Sequence, residues 1–528
     1  MRKIIFIFSL LLLTSCAKEA KTKLFENKIL KDSLHNVLIR PIDPNLLNDK
    51  SDSVRLYYQK MNFHEIWYLD ENRKALLSEI KKCGEDGLNP DDYAFETLQK
   101  LEEKRKSLSD EQQIAYDIVL TQSFEKLALH LYKGKLNPKI LYTNWDLHPK
   151  EIALSDYLLK AIKTQKVTST FRELKPNHIV YQLLKKSLVV LDAFPDVHFS
   201  TIISSKNKIQ LNDTLPELVK IKKRLTYWND YTNPDSIFTW AYDTITYKAV
   251  KKFQKRHGLK PDGIIGRGTI YALNFTKRER KAQILANLER WRWYPKDLGD
   301  QYLIVNLPEY YLKYVFHNDT IATHKVIVGN ANRRTPILCS KLSNFVFNPT
   351  WTIPPTIIKE DLQPSAATNR SYFAARRLTI YEGGGNEISP NDWNPEKATH
   401  YRYVQEPGYN NSLGLVKYNF PNNHSVYLHD TNHRDYFTKT NRALSSGCVR
   451  VELPLELAQR IIAQDYPDRN AKEWIATLLK NKKTKSISVK STIPIYLFYW
   501  TSWIEGNQLQ FRPDIYLLDK ELSEKLRL

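Results

Sequence analysis

Apolar residues recur at three- and four-residue intervals in the first part of the chain, from about residue 51 to 212. The clearest run consists of Ala115, Ile118, Val119, Phe124, Leu127, Ala128 and Leu131. This spacing predicts one amphipathic helix, which Gly134 should end. The turn-forming residues 87–92 (GLNPDD) should cap the following helix. Because no cluster of reactive side chains accompanies the pattern, we interpret residues 51–212 as a helical scaffold domain, preceded by a polar tether at 16–50.

A second helical pattern occupies residues 213–275. Its first apolar face is formed by Ile245, Ala249, Val250 and Phe253. Gly258 suits the position just after that helix, and Asp262 with Gly263 forms a turn. Thr269 is expected to be the N-cap of a short helix that follows. The segment therefore predicts a small compact helical unit, although a helical hairpin retained only for packing fits the same pattern.

The pattern changes to strands at about residue 300. The runs that predict strands include 302–307 (YLIVNL), 325–328 ending at Gly329, 425–429 (SVYLH) and 493–500 (IPIYLFYW). A helix-like segment lies at 453–480. Residues 363–413 interrupt the strands with Gly, Asn and Pro and few aliphatic residues, which is typical of a mobile lid over a site. We therefore predict a β-rich, mixed α/β domain at 300–520 with a lid insertion.

Composition agrees with a multidomain protein. The chain has 528 residues, 42% of them hydrophobic and 12% aromatic, which is too long for one ordinary domain and too apolar for a disordered polymer. Its formal net charge of +21 permits nucleic acid, anionic lipid or an acidic polymer as partner. No internal run approaches the ~20 apolar residues that a spanning helix needs, which excludes a multi-pass membrane protein.

The N-terminus predicts export. Arg2 and Lys3 precede about ten mostly apolar residues, the length of a signal peptide. Residues 13–16 (LTSC) resemble the lipobox of bacterial lipoproteins, and this resemblance implies a signal peptide at 1–15 and a lipid on Cys16. An ordinary secretory signal that happens to contain a cysteine is the alternative. Export argues against a nucleic-acid partner despite the positive charge.

A histidine and a cysteine carry the candidate chemistry. Strand alternation in residues 425–429 places Tyr427 and His429 on the same face. Cys448 follows nineteen residues later, inside residues 445–450 (SSGCVR). A thiol of ordinary pKa is mostly protonated at neutral pH, and a neighbouring imidazole can take its proton to give a nucleophilic thiolate. The pattern therefore favours attack on an amide carbonyl.

The residues around the thiol fit this interpretation. Small residues before Cys448 let a carbonyl approach, and backbone N–H groups around Gly447 could hold the developing oxyanion. Arg450, two residues on, lies on the same face if extended and could bind a substrate carboxylate. Two alternatives remain open, namely a zinc site formed by His429, His433 and Cys448, and a buried structural thiol beside a core histidine.

The other cysteines leave one question open. With Cys16 lipidated, Cys83, Cys339 and Cys448 form an odd number in an oxidising compartment. At least one thiol should therefore be free or transiently paired. Cys83 and Cys339 could be joined or both reduced.

These motifs resemble known families. His429 followed by residues 445–450 resembles the signature of L,D-transpeptidases with a YkuD-type catalytic domain. The likeness extends to residues 348–355 (NPTWTIPP) and 407–414 (PGYNNSLG). Residues 249–269 resemble the small three-helix peptidoglycan-binding domain of cell-wall enzymes, which implies such a domain at 213–275. With the helical scaffold and the lid, the chain resembles the large YcbB-like branch of that family.

The resemblance implies a peptidoglycan L,D-transpeptidase. Cys448 would attack the third residue of a donor tetrapeptide stem and release D-Ala, and an amine of a second stem would then resolve the thioester into a 3→3 cross-link. By the same resemblance His429 is the general base, Tyr427 lines the pocket, and Ser446, Gly447 and Arg450 complete the motif. Ser446 stands where many members have a second histidine, so His429 is left as the base.

The expected partners follow from the same resemblance. They are stem peptides, glycan strands and, through the lipid on Cys16, a membrane, with no cofactor, no metal and no nucleic acid. The expected location is the periplasm, at the outer membrane. Two other functions stay open: an L,D-carboxypeptidase that uses the same Cys448 and His429, and a non-catalytic lipoprotein that anchors to peptidoglycan.

Overall fold

The computed structural model describes residues 30–32, 37–232 and 237–526. The predicted signal peptide and Cys16 lie outside these residues. Two compact units are present: the described chain up to Lys135 together with Pro149–Pro176, and Leu136–His148 together with the described chain from Asn177. A search of the described helices finds no candidate membrane span.

The first unit is helical, as its periodicity predicts. Its helices are Asp52–Lys60, Asp70–Lys82, Phe95–Glu103, Asp110–Lys133, Leu154–Thr164 and Val167–Leu174, with the short strands β1 (Leu30–Asp32) and β2 (Val37–Ile39). Helix Asp110–Lys133 begins at a Ser109–Gln112 capping box and ends at Gly134, as predicted. The turn predicted at residues 87–92 does not cap the next α-helix, whose N-cap is Ala94. Asn89 in that turn caps only the short 3₁₀ helix Pro90–Tyr93.

The first unit differs from the predicted boundaries, because it includes part of the predicted tether, excludes residues 136–148 and ends at Pro176 instead of 212. Ile42 and Leu47, which were expected in the tether, are buried in its core with Tyr57 and Phe124. Residues 136–148 leave this unit, because β3 (Trp145–Asp146) pairs with a strand of the second unit and Trp145 stacks on Tyr294. A strand of two residues carries too little pattern to be predicted from sequence.

The second unit contains both the small helical segment and the β-rich segment. Its helices are Pro138–Leu141, Ile179–Asp192, Glu217–Tyr227, Thr244–Arg256, Arg267–Leu273, Lys277–Trp293, Pro355–Ile357, Gln363–Thr368, Ser371–Ala375, Pro454–Asp465, Ala471–Lys480 and Leu518–Leu526. Gly258 lies just after the helix Thr244–Arg256 and its C-cap His257, with φ +67°, as expected. Thr269 as an N-cap is wrong: Gly266 occupies that position, and the Thr269 hydroxyl accepts a hydrogen bond from Gln254.

A mixed sheet forms the core of the β-rich segment. Its strands and those beside it are β4 (Gln301–Asn306), β5 (Tyr311–Phe316), β6 (Asp319–Gly329), β7 (Ile337–Lys341), β8 (Asn344–Phe347), β9 (Trp351–Thr352), β10 (Leu378–Tyr381), β11 (Glu387–Ile388), β12 (Arg402–Gln405), β13 (Val416–Asn419), β14 (Leu428–His429), β15 (Ala443–Ser445), β16 (Val449–Val451), β17 (Lys485–Ser488), β18 (Pro494–Phe498), β19 (Ser502–Glu505) and β20 (Gln508–Phe511). The main sheet runs β17-β8-β13-β14-β16-β6-β5-β4-β18-β7-β3, with β15 beside β6. This order brings the motif strands β14 and β16 together.

The segment predicted as a lid folds around its own small core. Strands β11, β10, β12 and β9 form a separate sheet. Phe373, Trp393 and Tyr403 pack beneath it, and Trp393 Nε1 donates a hydrogen bond to the Tyr403 hydroxyl at 2.6 Å. We refer to residues 351–405 as the lid subdomain. Aliphatic residues such as Leu362 and Ile380 complete this core, so the segment holds more buried apolar residues than its sequence suggested.

One glycine of the second unit should be intolerant of substitution. Gly414 has φ +58°, and a Cβ atom there would lie 2.2 Å from Oδ2 of Asp430. Asp430 Oδ2 accepts hydrogen bonds from the Leu415 N–H (2.9 Å) and Arg434 (2.5 Å). We expect Gly414→Ala to lower the free energy of unfolding by about 1–3 kcal/mol in denaturant titrations. Gly383→Ala, where a Cβ meets open space, is the control, and an equal loss in both variants would contradict this account.

Candidate active site

Three neighbouring strands place the candidate residues on one face of the sheet. His429 on β14 pairs with Lys417 on β13 and with Arg450 on β16. Directly paired residues project to the same side of a sheet, as do residues two apart on one strand. Tyr427 lies two residues before His429, and Cys448 lies two residues before Arg450. The side chains of Tyr427 and Cys448 therefore project to the same face of the sheet. The predicted cysteine and histidine are thus brought together by strand pairing.

The loop before Cys448 is held by a network of hydrogen bonds. The Ser445 hydroxyl donates to the Cys448 carbonyl at 2.6 Å and accepts from the Gly447 N–H at 3.2 Å. The Thr335 hydroxyl donates to the Gly447 carbonyl at 2.7 Å. Gly447 has φ +113°, a conformation that favours glycine. The Gly447 N–H proposed for the oxyanion is thus bound to Ser445, and it would have to exchange partners to hold a substrate oxygen.

The thiol of Cys448 is half-buried and lines a groove. Its Sγ lies 3.8 Å from the Ser425 carbonyl oxygen. Burial raises the pKa of Cys448, while Tyr427 and the positive charges of Lys417 and Arg450 act to lower it. Because burial is the largest influence, the resting thiol is protonated at neutral pH. A base must therefore remove its proton during attack.

His429 is the candidate for that base. It is buried, with 5% of its surface exposed, and its ring contacts Tyr427 edge-on at 5.5 Å between centroids. Burial, and then the charge of Arg450, lower the pKa of His429 to about 3. The imidazole is therefore neutral at pH 7 and has a free site for a proton, although so low a pKa makes it a weak base in the resting site. The resting pair is thus a neutral thiol with a neutral imidazole, whereas sequence reasoning suggested a thiolate–imidazolium pair.

Arg450 presents a cation with unused donors. Nε and Nη1 of Arg450 are buried and lack a hydrogen-bond partner among the described residues. Burial lowers the pKa of this guanidinium. A buried cation without a partner is costly, and an anionic group of a substrate would relieve that cost. The geometry therefore agrees with a role in binding a carboxylate.

The groove above these residues has a volume of about 1270 Å³. One wall is the lid subdomain, including Trp351, Pro355 and Tyr372, and the floor includes Cys448 and His429. The cationic lining residues are Arg333, Arg334, Arg376, Arg377 and Arg450, and the acidic ones are Glu360 and Asp361. The positive lining suits a substrate that carries carboxylates.

Arg333 links the lid subdomain to the nucleophile loop. Its guanidinium lies 2.7 Å from Glu360 and 2.6 Å from Asp361, and it donates a hydrogen bond of 2.9 Å to the Ser446 hydroxyl. The predicted motif residue Ser446 is therefore an exposed anchor for this linkage. Arg333 escaped sequence analysis because its partners lie on separate segments of the chain.

The alternative metal site is not formed. Among the residues that the structure describes, no group of three or more His, Cys, Asp and Glu side chains is arranged to hold a metal ion. His433 instead stacks on Tyr436, with 5.0 Å between ring centroids. Cys339 and Cys448 carry free thiols, burial raises the pKa of Cys339 to about 12, and Cys83 is buried. Of these three thiols, Cys448 is the one that lines the groove.

Lys417 is a site residue that sequence analysis missed. Its Nζ lies 3.9 Å from the centroid of the Tyr427 ring, and its charge favours the Cys448 thiolate. No local motif marks this residue, because it reaches the site only through the pairing of β13 with β14.

Replacing Lys417 should make the thiol harder to ionise. We expect Lys417→Met to raise the pKa of Cys448, so that the midpoint of its pH profile for iodoacetamide alkylation moves to higher pH. Alkylation at neutral pH should become about threefold to tenfold slower. Lys485→Met, an exposed lysine at the edge strand β17, is the matched control. An unchanged profile in Lys417→Met would show that Lys417 does not act on the thiol.

Comparison with protein families gives three matches along the chain. Residues 52–188 match a scaffold domain, residues 214–273 match a model described as "Putative peptidoglycan binding domain", and residues 300–472 match the L,D-transpeptidase catalytic domain. The predicted fold class is confirmed, with a helical N-terminal region, a peptidoglycan-binding domain and a β-rich catalytic domain. Cys448, His429 and Arg450 all lie within the third match.

Individual relatives agree with these matches. A protein of Haemophilus influenzae named "Putative L,D-transpeptidase" is 39% identical over 224 residues. That alignment covers 42% of this chain and 45% of the relative, so the chain matches about half the length of this relative.

Structures of L,D-transpeptidases are also similar in part. The structure from Xylanimonas cellulosilytica is 14% identical, with 56% of this chain and 100% of that chain covered at a TM-score of 0.16. The structure from Stackebrandtia nassauensis is 14% identical, with 56% and 97% covered at a TM-score of 0.22. By its family-model match, the segment from residue 300 to 472, which holds the Cys448 site, belongs to the L,D-transpeptidase catalytic domain family.

Proposed function

We propose that the protein is a peptidoglycan L,D-transpeptidase that forms 3→3 cross-links between stem peptides through a thioester on Cys448. The observation that carries the proposal is the placement of a neutral imidazole, a half-buried thiol and a guanidinium on one face of the sheet, at the floor of a positively charged groove. Two nitrogens of that guanidinium, Nε and Nη1 of Arg450, have no hydrogen-bond partner among the described residues. The family match to residues 300–472 supports the same chemistry.

In the first step Cys448 attacks the carbonyl carbon of the third residue of the donor stem. His429 takes the thiol proton as the S–C bond forms, and it returns the proton to the nitrogen of the departing D-Ala when the C–N bond breaks. Arg450 is placed to bind a carboxylate of the donor. The product of this step is a thioester on Cys448 and free D-Ala.

In the second step the side-chain amine of the third residue of another stem attacks the thioester. His429 accepts a proton from that amine, and the Cys448 sulfur leaves as a thiolate that takes the proton back. The new amide is the 3→3 cross-link. The lid subdomain covers one side of the groove, and exclusion of water there would favour the amine over hydrolysis.

Product analysis with a disaccharide-tetrapeptide as the single substrate tests this function. A cross-linked dimer with release of D-Ala supports transfer. A disaccharide-tripeptide without dimer would show that the protein is an L,D-carboxypeptidase, because water then resolves the thioester. Neither product, with Cys448 reduced, would leave a non-catalytic peptidoglycan anchor as the better account.

We also propose that the mature protein is a lipoprotein facing the periplasm, held at the outer membrane by a lipid on Cys16. The support is the sequence at residues 13–16 (LTSC) behind a signal-like segment. Cells fed a labelled fatty acid should yield labelled wild-type protein, and Cys16→Ala should carry no label. Label retained in that variant would contradict lipidation at Cys16.

A further inference from the structure

Thr335 joins two loops of the catalytic segment. It lies in the loop after β6 and is fully buried. Its hydroxyl accepts a hydrogen bond from the Gly329 N–H at 2.8 Å and donates one to the Gly447 carbonyl at 2.7 Å. The hydroxyl is therefore fixed by two backbone groups, and it fixes in turn the direction of the carbonyl that comes just before Cys448.

The direction of the Gly447 carbonyl also sets that of the Cys448 N–H. Both groups belong to one planar trans peptide unit, so they point in opposite directions. The Cys448 N–H forms no hydrogen bond within the described part of the chain, whereas the Gly447 N–H is bound to the Ser445 hydroxyl. The Cys448 N–H is therefore the donor of this loop that can bind an oxyanion without exchanging partners.

Tyr516 holds Thr335 from the other side. Its hydroxyl accepts a hydrogen bond from the Thr335 N–H at 3.1 Å and donates one to the Gly329 carbonyl at 2.7 Å. Its ring is 1% exposed and stacks on Tyr499, with 5.6 Å between centroids. The Tyr499 hydroxyl accepts from the Tyr516 N–H at 3.2 Å and donates to Asp514 at 2.5 Å. The phenol is thus held through both its ring and its backbone.

The packing around Thr335 leaves little room for movement. A Cβ atom at Gly329 would lie 2.2 Å from the Arg333 carbonyl oxygen and 2.6 Å from the Thr335 nitrogen. The loop after β6 therefore rests directly on the strand's backbone, and Tyr516 closes it from the opposite side. Tyr516 follows β20 and lies beyond residues 300–472, so the family match does not cover this contact.

We propose that Thr335 and Tyr516 are positioning residues for acyl transfer, which hold the peptide before Cys448 so that the Cys448 N–H faces the developing oxyanion. The inference rests on the proposed function, because acyl transfer is the step in which that oxyanion forms. As the S–C bond forms, the thiol proton passes to His429 and the π electrons of the carbonyl move onto its oxygen. Neither Thr335 nor Tyr516 lines the groove, so both act through the loop.

Two reagents separate this role from general support of the loop. Acetylation of a thiol by p-nitrophenyl acetate passes through a tetrahedral oxyanion and releases p-nitrophenolate. Alkylation by iodoacetamide displaces iodide and forms no oxyanion. The rate of each reaction at Cys448 is measured on the full chain by digestion and mass spectrometry of the peptide that carries it.

We expect Thr335→Val and Tyr516→Phe each to slow acetylation of Cys448 about tenfold, because the oxyanion donor is misplaced. Alkylation should stay within about twofold of the parent rate. Thr335→Ser keeps the hydroxyl and should be acetylated as fast as the parent protein. Tyr496→Phe is the matched control, since it removes a buried hydroxyl that donates to the Leu298 carbonyl at 3.0 Å, and it should change neither rate.

Equal slowing of both reactions in the two variants would show that Thr335 and Tyr516 only support the loop, and it would overturn the proposal. Parent rates of acetylation in both variants would overturn it as well, even if cross-linked dimer forms. A parent that is alkylated but resists acetylation would also contradict the proposal. In contrast, the expected acetylation rates without any dimer from disaccharide-tetrapeptide would support the positioning role and contradict the proposed function.

Discussion

Replacement of Cys448 by alanine should reduce cross-link formation by at least about 10³-fold, because Cys448 is the only cysteine among the described residues that line the groove. The fold should be retained. Cys448 is half-buried, and the hydrogen bonds that fix its loop come from Ser445 and Thr335 rather than from the thiol. Quantification of dimer formed from disaccharide-tetrapeptide measures the effect.

Cys339→Ala is the matched control for that variant. Cys339 lies on β7, its pKa is raised to about 12 by burial, and it does not line the catalytic groove. We expect its replacement to leave turnover within about twofold of the parent protein. Full activity in Cys448→Ala, or an equal loss in both variants, would contradict the assignment of the nucleophile.

Replacement of His429 by glutamine should reduce turnover by about 10²- to 10⁴-fold at neutral pH. The thiol of Cys448 has a raised pKa, so without a base little thiolate is available for attack. Glutamine keeps the polar character of this buried position, and unfolding in denaturant should show a cooperative transition like that of the parent.

The pH dependence of Cys448 alkylation distinguishes the loss of a general base from disruption of the whole active site. Alkylation of Cys448 by iodoacetamide at alkaline pH should persist in His429→Gln, because hydroxide then ionises the thiol. His433→Gln serves as the control, since His433 lines the groove but stacks on Tyr436. Turnover of His429→Gln within about threefold of the parent at neutral pH would show that another group is the base.

Protonation of His429 should inactivate the protein only well below neutrality. The pKa of His429 is lowered to about 3, so the base stays unprotonated from neutral pH down through the ordinary range of histidine titration. Turnover should therefore not fall near pH 6.5 through protonation of this residue, while it should rise with pH as Cys448 approaches its raised pKa. These directions follow from burial of both groups.

Local patterns predicted the parts of the site that depend on neighbours in sequence. The alternation around His429 and the small residues before Cys448 act over a few residues, so both were visible in the chain. The helix that ends at Gly134 and the position of Gly258 after its helix were predicted for the same reason. Such features depend on backbone geometry that the residue type restricts directly.

The parts of the site that could not be predicted from the sequence depend on contacts between residues far apart in the chain. Lys417 lies in the site because strand β13 pairs with β14, which sets Lys417 opposite His429. No pattern in the sequence around residue 417 predicts this strand register. Arg333 is joined to Glu360 and Asp361 through the fold of the lid subdomain. The neutral state of the Cys448 and His429 pair is likewise a result of burial, which is a property of the folded protein.

The central claim is that Cys448 forms a covalent thioester with a peptidoglycan stem. Its most direct test is the intact mass of the purified protein after brief incubation with disaccharide-tetrapeptide, compared with the Cys448→Ala variant. The account predicts a mass increase equal to the substrate minus D-Ala on the parent protein alone, and its disappearance as dimer accumulates. An unmodified parent with a reduced thiol and no product, or the same adduct on Cys448→Ala, would contradict it.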